Sequence, residues 1–252
     1  MDLKKRIEEI RKGESPEHIA IIPDGNGRWA TQRGYERTRG HRKGSQAAEK
    51  LIEFVSNQLP IKYLTFYTFS TENWSRPDHE VKFLMILLRK FLKDKGIKLT
   101  QNNVRLRIIG DLQDLPKKTV AIVRETIDKT MDNDGLQLVM ALNYGGRREI
   151  LRAAKQITTK IVKGKIGLQN LTEDLFRSNL FAPDIPDPDL LIRTSGERRL
   201  SNFMLWQLAY TELWFTDTLW PSFSSKDLLD ALRDYQSRDR RFGHVEERKN
   251  KQ

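Results

Sequence analysis

His18-Ile-Ala-Ile-Ile-Pro-Asp-Gly-Asn-Gly-Arg-Trp-Ala30 reads as a buried strand running into a glycine loop. The apolar run 19–22 is too short for a helix, is rich in β-branched residues and stops at Pro23, which has no N–H for a ladder. Asp24 therefore falls at the carboxyl end of the strand, the edge where open α/β sheets bind ligands. Gly25 and Gly27 let backbone approach a ligand closely, and a following helix N-terminus favours an anion. A carboxylate repels a phosphate, so Asp24 beside such an anion implies a metal ion. Gly25-x-Gly27-x-x-Ala30 also fits the loose dinucleotide-binding fingerprint. The acid expected about 20 residues on, at the end of a second strand, is missing, because Glu49 and Glu53 lie in a helical pattern. Nor is the next stretch an apolar packing helix: it carries Arg33, Arg37, Arg39, His41, Arg42 and Lys43. The loop alone leaves a plain turn and a phosphate site both open.

Outward from that loop, helical and strand patterns alternate. Residues 1–12 read as a surface helix ended by Gly13, and 44–58 as an amphipathic helix with Ala47, Ala48, Leu51, Ile52 and Val55 on one face. A second strand at 64–69 delivers the polar run Ser70-Thr-Glu-Asn-Trp-Ser-Arg-Pro77. The helix predicted at 80–95 is apolar around most of its circumference, as in a buried helix or the wall of an apolar cavity. Strands follow at 104–109, 136–142, 190–192 and 212–215, with helices at 116–131, 148–163, 172–180, 203–209 and 225–238. The pattern predicts one α/β domain over 1–252, with a largely parallel sheet of about six strands covered on both faces. The N-terminal segment 1–15 and the charged tail 244–252 are expected to be mobile.

With 252 residues and 11 Phe, the chain can bury a sizeable core. No apolar run approaches the roughly 20 residues of a membrane span, and the charged N-terminus has no signal-peptide h-region. There is no Cys, hence no disulfide and no thiolate metal site, which fits a reducing compartment. A net charge of +11 calls for an anionic partner. Zinc-finger spacing, an RNP-like aromatic motif and a Gly-x-x-x-x-Gly-Lys-Ser/Thr loop are all missing.

Polar clusters recur after strands one, two and five, so one site at one sheet edge accounts for them. They supply Arg28, Arg37 and His41, then Asn73 and Arg76, then Arg193 and Arg199. Guanidinium forks bind phosphate oxygens in pairs, and their spread over separate segments suggests two diphosphates.

Several motifs resemble the cis-prenyltransferase family: Asp24-Gly-Asn-Gly-Arg-Trp-Ala30, Phe69-Ser-Thr-Glu-Asn-Trp-x-Arg-Pro77, Asn143-Tyr-Gly-Gly-Arg147 and Arg193-Thr-Ser-Gly-Glu-x-Arg-Leu-Ser-Asn-Phe203. Leu205-Trp-Gln-x-Ala-Tyr-x-Glu212, Trp220-Pro221 and Arg240-Arg-Phe-Gly243 continue the match in the same order. The resemblance implies a Mg²⁺-dependent homodimer with an apolar tunnel. Such an enzyme condenses isopentenyl diphosphate onto farnesyl diphosphate with cis double bonds. The expected product is a C55 polyprenyl diphosphate, a lipid-carrier precursor for cell-wall synthesis. The alternatives are a medium- or short-chain synthase and a non-catalytic subunit. The same resemblance implies a cytoplasmic enzyme, peripheral at the inner membrane surface, with transient membrane contact for product release and no nucleic-acid partner.

By that resemblance Asp24 matches the catalytic, magnesium-linked aspartate, and Glu212 a second metal ligand. Gly25, Asn26, Gly27, Arg28, Trp29, Arg37 and His41 match the allylic diphosphate site. Ser70, Thr71, Glu72, Trp74 and Arg76 match further substrate contacts, and Asn73 the residue assigned as proton acceptor. A neutral amide has almost no proton affinity, so a diphosphate oxygen oriented by Asn73 suits the chemistry better. Arg193, Arg199, Leu200 and Ser201 match the isopentenyl diphosphate site. Arg241 and Gly243 match a tail motif that completes the partner's site. Pro23 stands where bacterial members commonly have Met. Arg198 stands where some have His near the metal, and a cation cannot ligate Mg²⁺. Thr68, Met85, Ile86, Val139 and Met140 are expected to wall the tunnel. No Asp-Asp-x-x-Asp box is present, which excludes the trans-type design.

Overall fold

The computed structural model describes residues 2–239. In chain order the elements are α1 (Leu3–Lys12), β1 (His18–Ile22), α2 (Asn26–Thr31), α3 (Arg37–Gln58), β2 (Tyr63–Ser70), α4 (Asp78–Gln101), β3 (Arg105–Ile109) and α5 (Lys117–Thr130). They continue with β4 (Gln137–Tyr144), α6 (Gly146–Val162), α7 (Glu173–Arg177), β5 (Leu190–Arg193), β6 (Glu212–Phe215) and α8 (Ser225–Gln236). The six strands form one sheet in the order β3-β4-β2-β1-β5-β6. Every pairing is parallel, as the alternating pattern predicts. β1 lies between β2 and β5, so the polar runs that follow these three strands emerge side by side at one edge.

The two faces are unequal. Ile19, Ile21, Leu64, Phe66, Leu138, Met140, Leu190 and Ile192 face a thick layer built from α1, α3, α4, α5 and α8. Ala20, Ile22, Val139, Ala141 and Leu191 face a thinner one with Phe203, Met204 and Leu208. Period-two alternation thus puts Val139 on the face away from the cavity described below, not in its wall. His18 anchors the start of β1 on the thin side. Its Nδ1 donates to Pro186 O at 2.6 Å, and its Nε2 accepts from Thr65 Oγ1 at 2.6 Å. Burial pushes its pKa down to about 4, so the ring is neutral and structural.

Elsewhere the structure departs from the sequence reading for identifiable reasons. α3 begins at Arg37 rather than at 44. Its Gly40 and Gly44 touch α2 so closely that an added Cβ would lie 2.0 Å from Asn26 O and Asn26 Oδ1 respectively. These glycines look like helix breakers in sequence but serve helix–helix contact. Residues 203–209 form turns, not a helix, because Ser201, Asn202 and Met204 adopt left-handed backbone at φ 50°, 63° and 42°. α7 covers only Glu173–Arg177, although Thr172 caps it as expected by accepting from Leu175 N at 3.2 Å. α1, read as a mobile surface helix, buries Ile7 and Ile10. Arg6 reaches Asp230 of α8 at 2.6 Å, and Gln236 donates to Ile10 O at 2.9 Å. The tail 244–252 lies outside the described residues.

Candidate active site

The turn after β1 is fastened before its side chains are considered. Asp24 O accepts from Thr194 Oγ1 at 2.7 Å and from Trp220 N at 3.0 Å. Gly25 has φ +102°, and a Cβ there would sit 2.9 Å from both Ser195 Cβ and Leu219 Cδ2. Backbone and space both demand glycine. The Asp24 carboxylate then projects at the switch point between β1 and β5, one-third exposed. Its Oδ1 accepts from Gly25 N at 2.6 Å and its Oδ2 from Arg193 at 2.9 Å, with Arg28 at 3.8 Å.

Arg193 is almost completely buried at the end of β5. It also donates to Ser201 Oγ at 2.7 Å and to the Arg199 carbonyl, while its Nε has no partner. Arg28 donates to Ser195 O at 3.0 Å and Ser195 Oγ at 2.5 Å, and meets Glu197 at 3.0 Å. Ser195 has φ 76°, a conformation that costs a non-glycine residue about 1–2 kcal/mol. That strain aims both of its oxygens at one guanidinium. Arg199 is mostly exposed and pairs with Glu197.

A second cation cluster sits on the β2 side around Glu80, in the first turn of α4. Its side chain is only 6% exposed and receives His41 Nε2 at 3.1 Å, Arg76 at 2.9 Å and Arg37 at 3.3 Å. Burial pushes the Glu80 carboxyl up, but the His41 hydrogen bond and the Arg76 and Arg37 charges outweigh it and hold the group below its ordinary value. His41 is pushed down by burial more than Glu80 raises it, with both arginines adding to the depression. The cluster is thus an ionised carboxylate, a neutral imidazole and two guanidiniums. A Cβ on Gly27 would lie 2.8 Å from Arg37 Cζ, so Gly27 makes room for that guanidinium over α2.

Between the clusters lies the segment after β2. Asn73 Oδ1 accepts from Ser70 N at 3.1 Å, closing a capping box on the 3₁₀ turn Thr71–Ser75. This bond fixes the amide orientation and leaves Asn73 with its NH₂ donors to offer, not a basic atom. Glu72 accepts from Asn202 at 2.8 Å, and Trp74 Nε1 donates to Asn143 Oδ1 at 2.8 Å. The Asn143–Arg147 motif is scaffold beneath this segment. A Cβ on Gly145 would lie 2.7 Å from Thr71 Oγ1, and one on Gly146 2.7 Å from Leu205 Cγ.

Behind this polar edge, on the thick face, an apolar cavity opens between α3, α4 and the sheet. Pro23, Asn26 and His41 stand among its lining residues, with Thr68, Phe69, Leu88, Phe91, Leu138, Met140 and Trp220 farther along the wall. A β-bulge at 67–70 breaks the alternation of β2, so Thr68 and Phe69 both line it. Met85 and Met140 line it as predicted, whereas Ile86 points outward and is 53% exposed.

Asp24, Gly25, Asn26, Gly27, Arg28, Arg193, Arg199, Ser201, Arg37, His41, Arg76 and Asn73 gather at this edge. Leu200 is half-buried against the thin-side core. Trp29 lies outside the cavity, donating to Ser222 Oγ at 3.0 Å beneath Arg33. Glu212 is not brought to Asp24 within one chain. It begins β6, opposite Leu190, at the amino edge of the sheet, and pairs with Arg238 at 2.6 Å. Arg241 and Gly243 lie outside the described residues. Among the described residues no group of three or more His, Cys, Asp or Glu forms a metal cage. Mg²⁺ needs none, since one or two carboxylates with substrate phosphates and waters suffice, and the part-exposed Asp24 carboxylate fits that demand. The sequence reading missed Glu80, Ser195 and Glu197. Glu80 was hidden at the start of an apolar helix, but its spacing four residues after Arg76 was a usable signal.

A family model described as "Putative undecaprenyl diphosphate synthase" matches residues 22–243. An isoprenyl transferase of Bacillus subtilis is 50% identical over 238 residues, covering 94% of this chain and 91% of the relative. One from Clostridium perfringens is 49% identical over 230 residues, covering 91% and 90%. The crystal structure of lavandulyl diphosphate synthase from Lavandula x intermedia, in complex with dimethylallyl diphosphate, superposes with a TM-score of 0.89 at 38% identity. It covers 94% of this chain and 100% of that one. With its six-stranded parallel sheet and diphosphate-suited edge, the chain belongs to the undecaprenyl diphosphate synthase family of isoprenyl transferases, and it is a cis-prenyltransferase.

Proposed function

We propose that the chain condenses isopentenyl diphosphate onto farnesyl diphosphate, forming cis double bonds, releasing diphosphate and building C55 undecaprenyl diphosphate. The observation that carries this reading is the pairing of two separate cation clusters with one apolar cavity. Arg37, His41 and Arg76 suit the allylic diphosphate at the cavity mouth. Arg193, Arg199 and Ser201 suit the isopentenyl diphosphate beside Asp24.

In the reaction, the bond from the allylic carbon to its diphosphate oxygen breaks. A new carbon–carbon bond forms to the isopentenyl double bond, and a proton leaves the adjacent carbon. Arg28 and Arg37 stabilise charge building on the leaving diphosphate. Asp24 would hold Mg²⁺, which when bound neutralises diphosphate charge. The cavity walled by Thr68, Phe69, Leu88 and Phe91 keeps water from the allylic cation and receives the lengthening chain. Asn73, a donor here, orients the diphosphate oxygen that takes the proton. Homodimerisation would bring the partner's tail, with its Arg241–Gly243 motif, to the isopentenyl site. A cytoplasmic enzyme working beside the inner membrane fits a polyprenyl product. Among the described residues no helix is long and apolar enough to cross a membrane.

The test is incubation with farnesyl diphosphate, labelled isopentenyl diphosphate and Mg²⁺, followed by sizing of the dephosphorylated product. A C55 product is expected. A product only one or two units longer than the primer would place the chain among short-chain synthases, and no incorporation would overturn the reading.

A further inference from the structure

The wall of the cavity is one side chain thick at Met85. This residue, 3% exposed, lines the inner cavity and also an outer groove bounded by Trp74, Val81, Ile86 and Pro116. The groove's polar rim is Asp78, Lys82 and Arg89, the last donating to Thr119 Oγ1 at 3.0 Å. Along the same outward stripe of α4, Ile86 and Ile97 are 53% and 69% exposed. They lie about three turns apart with Lys90 and Lys93 between them. Asp94 is the acid within that span, and Lys117 and Lys118 of α5 lie exposed near Pro116. Exposed isoleucines set among lysines are the composition of a helix face that meets an anionic lipid surface.

Resting on the proposed function, we infer that the lengthening prenyl chain leaves the cavity sideways past Met85 into this groove, and that the Ile86–Ile97 stripe of α4 holds the groove against an anionic bilayer. Cationic side chains attract the lipid headgroups, the isoleucines enter the interface, and the apolar product passes from protein to lipid without crossing water.

The chain has no cysteine, so Ile86→Cys accepts a single environment-sensitive label. As labelled enzyme elongates farnesyl diphosphate in vesicle-free buffer, the emission should shift to the blue. A label at Val162→Cys, on α6 and 81% exposed, should not respond. In a second arm, the wild-type enzyme should bind vesicles containing phosphatidylglycerol and not vesicles of phosphatidylcholine alone. Lys90→Glu/Lys93→Glu should weaken that binding about tenfold or more. The same variant should lose any vesicle-driven rise in steady-state turnover while single-turnover condensation stays unchanged. A silent Ile86 label on enzyme making full-length product overturns the exit route. Wild-type-like vesicle binding by the charge-reversed variant overturns the membrane face. Absence of single-turnover condensation in the wild type would overturn the proposed function itself and this proposal with it.

Discussion

Asp24 and Glu80 each gather guanidinium groups, in opposite settings. Asp24 is one-third exposed, and its partners Arg193 and Arg28 are held independently by Ser201, Ser195 and Glu197. Glu80 is buried, and it is the one carboxylate to which Arg37, His41 and Arg76 all bond. An exposed carboxylate whose arginines have other anchors can exchange partners when a diphosphate arrives. A buried one with three cationic or polar donors cannot, because an unpaired charge there is costly. On the proposed function, the contrast suits Asp24 to the reaction and Glu80 to positioning.

Removing each carboxylate should therefore give different losses. Asp24→Ala should cut turnover roughly a hundred- to a thousandfold while leaving the thermal transition near the wild type, since an electrostatic group at the reacting centre is lost from an exposed position. Near-normal turnover at saturating Mg²⁺ would erase the contrast. Glu80→Gln keeps the shape and removes the charge. It should raise KM for the allylic diphosphate about tenfold, with kcat less affected. A fall in that KM would mean that the carboxylate repels the substrate rather than setting its cations.

The pH dependence sharpens the same point. His41 and Glu80 both have depressed values, so the stability they contribute is present above their unfolded values and is lost as pH falls through the folded ones. Burial holds the His41 ring below its ordinary histidine value. The ring signal of His41, followed by NMR from pH 8 downward, should titrate below the ordinary histidine value of 6.5. A midpoint at or above 6.5 would mean that Glu80 outweighs burial at the ring. The smallest expected effect is at the cavity wall. Thr68→Leu should leave turnover of the first condensation close to the wild type and shift products to shorter chains. Unchanged product length in active enzyme would show that the chain grows along another wall.

The Asp24 cluster was legible in sequence because each part lies at a strand end beside Gly or Ser, and parallel topology brings strand ends together. Asp24, Arg193 and Arg28 could be grouped from spacing and strand pattern alone. Of the Glu80 cluster only the Arg76 pairing, four residues apart, shows in sequence, since Arg37 and His41 come from α3 and only packing joins them to Glu80. For a similar reason Gly40 and Gly44 misled the start of α3: their lack of side chains answers to α2, which sequence periodicity does not contain. The turns at 203–209 were read as helix because Phe203, Met204, Leu205, Trp206 and Leu208 are apolar at helical spacing. What overrides that pattern is Asn202, whose amide donates to Glu72 and whose backbone carbonyl accepts from Gly146 N at 2.6 Å. Val139 and Ile86 failed as tunnel residues by facing the wrong way, one across the sheet and one across α4.

The measurement that tests the two-cluster account most directly is the pair of KM values, for allylic and isopentenyl diphosphate, in Arg37→Ala and Arg199→Ala. Loss of one charge-assisted contact costs about 1.5–3 kcal/mol, or roughly ten- to a hundredfold. Arg37→Ala should raise the allylic KM by that factor and Arg199→Ala the isopentenyl KM, each leaving the other substrate within about threefold of the wild type. If both variants raise the KM of the same substrate, the clusters do not serve separate diphosphates.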